Sequence, residues 1–272
     1  MQTPLRKRHH LAPLLIGVGA LLAASFAVQS ADASAVSFSA PITIRSGGTY
    51  SGNWRSTTTA PAVTVATSEP VTIENCEVQG NGNLIVVTAV ADITVRDCRG
   101  RGTWSGTAGP GRMLWAAAGV KNLVFEHNEV IKAAGLKVID ARPRRVTVRY
   151  NRADNIMGDP TNCCGFMQFA QFDNVVGGNV ELAWNRIVNR PEQSRVEDVV
   201  NFFNSGGTPG TLWKVHHHLI WGSFPEHPTI DKGFSGGGIM MGDGVPAGVD
   251  RGYVEAYANT VLGSANYLLS VA

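Results

Sequence analysis

Two adjacent carboxylates, Glu197 and Asp198, stand at the start of the apolar run VVNFFN (199–204), and a third, Asp243, closes GIMMGD (238–243). Between them the chain carries Glu226, His227, Asp231 and Lys232. Hydrolysis of a glycosidic bond needs two carboxylates about 5–9 Å apart, which Glu197, Asp198, Asp231 and Asp243 could supply. Elimination from a uronate needs a base, for which Lys137, Lys232 and His227 qualify, and a group that neutralises the sugar carboxylate. Each candidate also has a plainer reading. Glu197-Asp198 could bind a cation, Ca²⁺ being the candidate, or be a solvated loop end. His227, between Glu226 and Pro228, could be an exposed loop histidine. Asp243 could hold a Gly-rich turn through an Asx hydrogen bond. Lys137 could be an ordinary outward lysine. His216-His217-His218 invites a metal reading, but no second cluster supplies ligands, so no metal site is expected there.

These residues are positioned by a repeat. Seven segments align: VTIENCEV (71–78), ITVRDCRG (93–100), LVFEHNEV (123–130), VTVRYNRA (146–153), VELAWNRI (180–187), WKVHHHLI (213–220) and VEAYANTV (254–261). Their first and third residues are all apolar, as expected of side chains two apart that face inward along a strand. Their sixth residues are Cys76, Cys98, Asn128, Asn151, Asn185, His218 and Asn259. A sharp bend is expected there, with Asn tolerating left-handed φ and its amide bonding to the residues above and below. The shortest repeat steps, 22 and 23 residues, suit one turn of a three-strand coil; longer steps must carry loops. Outward charges alternate in sign, at Glu74, Arg96, Glu126 and Arg149 and at Glu181, Lys214 and Glu255, which sets strand register.

This pattern resembles the right-handed parallel β-helix proteins of the pectate-lyase-like superfamily over roughly residues 38–272. The resemblance implies an all-β solenoid of about seven coils with an Asn ladder. It does not carry a reaction with it, because that fold hosts lyases, hydrolases, epimerases, adhesins and tailspikes. The Asn-Thr-Asp, Asp-Asp, Gly-His-Gly and Arg-Ile-Lys set of polygalacturonases is missing, as are the Trp-x-Asp-His of pectate lyases and the Asp-Pro-His-Asp of alginate epimerases.

In the enzymes this chain resembles, the groove runs over the strand that follows each ladder segment, walled by the loops leading into it. Here those loops lengthen along the chain: eight residues from Asn128 to Leu136, 16 from Asn151 to Met167, and 21 from His218 to Ile239. They contribute Asp159, Glu192, Glu197, Asp198, Glu226, His227, Asp231 and Lys232. The expected outward row on the groove strand is Lys137, Gln168, Asn201 and Met240, followed by a polar line Asp140, Gln171, Asn204 and Asp243. Lys137, Gln168, Asn201 and Asp243 are therefore the expected substrate-binding residues.

Residues 1–33 read as a secretory signal, with Arg6, Lys7 and Arg8 ahead of an apolar stretch and small residues near Ala33. Removing it leaves 20 basic and 20 acidic residues in the β-helix domain 34–272, so nucleic-acid binding is disfavoured. No membrane association is expected after signal removal. Export permits disulfides. Cys76 and Cys98 could form a bridge or remain a packed thiol pair, and adjacent Cys163-Cys164 default to loop thiols. The final YLLSVA reads as another coil's strand, so a cap or partner is expected at that end, or the chain is a fragment. The functional expectation is a secreted or periplasmic protein that acts on a polysaccharide or oligosaccharide. It is a lyase or a glycoside hydrolase; the rival is a non-catalytic glycan-binding or surface-structural protein.

Overall fold

Strict alternation of inward apolar and outward polar residues gives the chain strands of period two, and short strands must stack to bury one face. The computed structural model describes residues 36–104, 109–158, 167–230, 236–264 and 266–271, and residues 36–272 form one compact unit. The signal expected at 1–33, Asp159, Cys163, Cys164, Asp231 and Lys232 lie outside the described residues.

Among the described residues there is no helix, and every pairing between strands is parallel. A nine-stranded sheet runs from Ile42–Ile44 through Arg112–Ala116, Ala134–Ile139, Ala170–Asp173, Val200–Phe203 and Ile239–Asp243 to Leu269–Val271. A 13-stranded sheet holds the seven repeat segments. The chain leaves one sheet, crosses the other and returns one strand further along, an arrangement consistent with a β-helix solenoid.

The repeat positions coincide with the register. Val71 pairs with Ile93, Ile93 with Leu123, Leu123 with Val146 and Val146 with Val180. All are buried, as are Ile73, Val95, Phe125, Val148 and Leu182 two residues on. Each such side chain contributes about 1.5–3 kcal/mol on removal from water. Phe172, Phe202 and Trp213 meet edge to face in the core, with ring centroids 5.2–5.5 Å apart. The outward charges pair across coils: Arg96 Nη2 lies 2.5 Å from Glu74 Oε2, and Arg149 Nε 2.8 Å from Glu126 Oε2.

The bend differs from expectation in one respect. The fifth residue of each segment, not the sixth, takes the left-handed conformation: Asn75, Asp97, His127, Tyr150, Trp184, His217 and Ala258 have φ of 49–57°. That kink turns the sixth residue inward. Asn128, Asn151 and Asn185 are each 1% exposed. The side-chain oxygen of Asn151 accepts the Asn128 backbone N–H at 2.9 Å, and that of Asn185 accepts the Asn151 N–H at 3.0 Å. His218 Nδ1 accepts the Asn185 N–H at 3.1 Å, and Asn259 Oδ1 accepts the His218 N–H at 3.0 Å. The amide groups of Asn128, Asn151 and Asn185 donate in turn to the carbonyls of Val95, Phe125 and Val148. Cys76 and Cys98, at the same position in earlier segments, are joined as a disulfide with Cα atoms 4.5 Å apart.

Replacing Asn151 or Asn185 with Leu should therefore cost about 2–4 kcal/mol, because backbone donors and acceptors on both sides lose their partners. Arg149→Ala should cost about 1 kcal/mol or less in the same denaturant melts.

His218 adds a pH dependence. Burial, helped by nearby His216, pushes its ionisation from 6.5 down to about 4. The unfolded chain takes up this proton first, so the stabilisation is complete above pH 6.5 and is lost as pH falls toward 4. The loss should reach about 3 kcal/mol. Urea melts at pH 7.5 and 5 should show that His218→Asn, which keeps an acceptor for Asn185, flattens this slope relative to the wild type.

Candidate functional site

The outward face of the nine-stranded sheet carries the polar residues. Leu136, Ala170, Val200 and Ile239 share one register position and point into the core. One residue further on stand Trp115, Lys137, Gln171, Asn201 and Met240. The expected row is thus corrected at one member: Gln171, not Gln168, lies between Lys137 and Asn201. Gln168 sits three residues earlier, 2% exposed, in a different row. The polar line at the strand end is corrected in the same way. Asn174, not Gln171, lies between Asp140 and Asn204; its Nδ2 donates to Asp140 Oδ1 at 2.7 Å, and Asn204 Nδ2 donates to Asn174 Oδ1 at 3.4 Å.

Gln168 nevertheless belongs to the site. Its Nε2 donates to Glu197 Oε2 at 2.7 Å, and its Oε1 accepts from Arg112 Nη2 at 3.3 Å. The same Arg112 nitrogen donates to Gln171 Oε1 at 2.9 Å. Burial brings Arg112 down to about 10, and the charge of Asp173 opposes that shift. Lys137 Nζ lies 2.9 Å from Asp173 Oδ2. A cavity of about 250 Å³ lies here, lined by Asn83, Arg112, Trp115, Lys137, Asp140 and Asp173 among others.

At the next coils the acids converge. Asn201 Nδ2 donates to Asp198 Oδ2 at 2.8 Å and to Asp243 Oδ2 at 3.0 Å. Because both bonds leave one nitrogen, these oxygens lie less than about 6 Å apart, the range of a close carboxylate pair. A β-bulge delivers Asp243: the register slips after Phe202, and Gly242, at φ 82°, absorbs the extra residue. Without the bulge, Gly242 would occupy the position opposite Phe203.

Asp198 is 5% exposed and fully engaged. Besides Asn201, it accepts the Gly237 N–H at 3.0 Å and the Tyr267 hydroxyl. Gly237 is required there, since a Cβ would lie 2.2 Å from the Tyr267 ring. Burial and the bond to Asp198 hold the Tyr267 phenol well above its ordinary range, so it remains a donor. Glu197 has the opposite setting. The residue is exposed, yet desolvation of the carboxyl by the groups packed around it raises its pKa. The charge on Asp198 raises it further, the Gln168 bond lowers it, and Asp243 raises it again.

The structure thus brings together Glu197, Asp198, Asn201, Asp243 and Gln168. It does not join His227 to them through any described contact; its Nδ1 is 3.0 Å from Glu192 Oε2 in an exposed pair. Arg112 and Tyr267 escaped the sequence reading. Arg112 could have been found from its place two residues before the inward Leu114, where Gln168 and Asp198 also stand. No family profile, curated protein or solved structure matches the chain.

If the Asp198 charge holds Glu197 up, Asp198→Asn should move the Glu197 ionisation toward the ordinary carboxylate range. Carboxyl-carbon NMR titration of both proteins reads this directly.

Proposed function

We propose that this chain is a secreted carbohydrate-active enzyme, a glycoside hydrolase working in a groove on the outward face of the nine-stranded sheet. In this reading it is a right-handed parallel β-helix of about seven coils with a side-chain ladder, related in architecture to the pectate-lyase-like proteins. Its substrate is a polysaccharide or oligosaccharide. Secretion rests on the leader pattern of residues 1–33.

One observation supports hydrolysis above all: three carboxyl groups in unequal settings, Asp198 and Asp243 joined through Asn201 and the adjacent Glu197 held by Gln168. Hydrolysis needs a carboxyl that holds its proton beside one that does not. Glu197, raised by burial and by its acidic neighbours, suits the proton donor to the glycosidic oxygen. Asp243, less buried than Asp198, suits the anionic partner at the anomeric carbon. Asp198, saturated by three donors, holds the other two in place. The elimination reading has weaker support, because its described bases are engaged: Lys137 with Asp173 and His227 with Glu192. The saturation of Asp198 also favours a second reading, a non-catalytic glycan-binding protein in which these acids only shape the groove.

A screen of neutral and uronate-containing glycans for new reducing ends tests the proposal. Glu197→Gln and Asp243→Asn should each lower kcat by about 10²–10⁴ with the melting temperature nearly unchanged. Glu74→Gln, in the other sheet, should leave turnover intact. Products absorbing in the ultraviolet would mean elimination. Binding without cleavage would leave the glycan-binding reading.

A further inference from the structure

The run His216-His217-His218 is divided by the fold. His218 turns inward and accepts the Asn185 N–H, whereas His216, 7% exposed beneath its neighbours, meets the partly exposed His217 with their Nδ1 atoms 2.8 Å apart. Both rings are held from outside. His216 stacks on Tyr257 at 4.8 Å with planes 10° apart, and His217 stacks on Trp184 at 4.0 Å with planes 20° apart. The other nitrogen of His216, Nε2, lies 3.3 Å from Glu181 Oε1. A carboxylate there fixes the tautomer with the proton on Nε2 and the lone pair on Nδ1, the arrangement found behind metal-bound histidines.

We propose that His216 and His217 chelate one divalent transition-metal ion of the Cu²⁺ type through their two Nδ1 atoms. The bite distance selects the metal. With metal–nitrogen bonds of about 2.0 Å, nitrogens 2.8 Å apart subtend about 90° at the ion. That is the cis angle of tetragonal Cu²⁺ or Ni²⁺ and well short of the tetrahedral angle Zn²⁺ prefers. Cu²⁺ also stands highest in affinity for such nitrogen ligands. On binding, the proton that His217 Nδ1 shares with His216 moves through solvent to His217 Nε2, so neither ring changes charge. Among the described residues no group of three His, Cys, Asp or Glu side chains is placed to hold a metal ion, so water completes the coordination. His217 is partly exposed and leaves the ion open to solvent on that side. Trp184 and Tyr257 supply the clamp that two ligands alone would lack.

Titration of the whole protein with CuCl₂, followed by electron paramagnetic resonance and by tryptophan emission, tests this. One equivalent should bind with a two-nitrogen signature and quench Trp184. His217→Gln should weaken binding at least 10-fold, and Glu181→Gln about 10-fold, through loss of the tautomer constraint. His227→Gln should change nothing, and Zn²⁺ should compete poorly. Absence of saturable binding in the wild type overturns the proposal. So does wild-type affinity in His217→Gln, which remains decisive if His216→Gln fails to fold.

Discussion

The whole arrangement depends on the hydrogen bonds that buried side chains at the sixth position of the repeat segments make to the backbone of the neighbouring coil. A stack of short parallel strands has no turn geometry linking neighbours, so register must come from elsewhere. Asn128, Asn151, Asn185 and Asn259 each bring an acceptor to the N–H of the coil before and a donor to a carbonyl there. A slip of one residue would strand those groups in the core at about 1–3 kcal/mol each. The left-handed residue before each of them costs about 1–2 kcal/mol, and that cost is offset by the bonds it makes available. With these bonds formed, every outward row falls into line.

That is why the fold is legible in the sequence and the site only partly so. The repeat segments have a fixed internal spacing of eight residues, and apolar and Asn positions recur within them whatever the connecting loops do. The groove strands lack that constancy. They are entered by loops of changing length, and both Gln168, between Met167 and Phe169, and Gln171, between Ala170 and Phe172, can stand as the outward residue between two apolar ones. Only the pairing of Lys137 with Gln171 decides between them. The bulge at Gly242 is hidden for the same reason, since an extra residue in one strand leaves no mark in that strand's own pattern. The bend residue was misplaced by one because Asn suits both the left-handed and the inward position, and the identities His127, Tyr150 and Trp184 gave no hint of left-handed φ.

Residues 34–272 carry equal numbers of acids and bases, yet they are not evenly spread. Across the 13-stranded sheet they alternate and neutralise one another, as Glu74 with Arg96 and Arg149 with Glu126. On the outward face of the nine-stranded sheet, Lys137 and Asp173 still pair, but Glu197, Asp198 and Asp243 gather with amides as their side-chain partners, Gln168 on Glu197 and Asn201 between Asp198 and Asp243, besides the Tyr267 hydroxyl on Asp198. Amides can bond to a carboxylate without neutralising it, so they preserve the mutual repulsion that adds to desolvation in raising Glu197. A lysine in place of Asn201 would satisfy the same oxygens and erase that difference.

His218 shows how the bend and the surface are coupled. An imidazole accepts the Asn185 N–H as an amide would, but its second nitrogen, Nε2, is buried without a full hydrogen bond. The position therefore carries a cost that an Asn would avoid. The adjacent left-handed turn at His217 places His216 and His217 side by side on the outside, against Tyr257 and Trp184 from the flanking coils. Those rings can stack only because the Asn185, His218 and Asn259 bonds hold the three bends in register. Geometry fixed inside the coil by hydrogen bonds is thereby transmitted, without any loop, to the two nitrogens that His216 and His217 bring together between Tyr257 and Trp184.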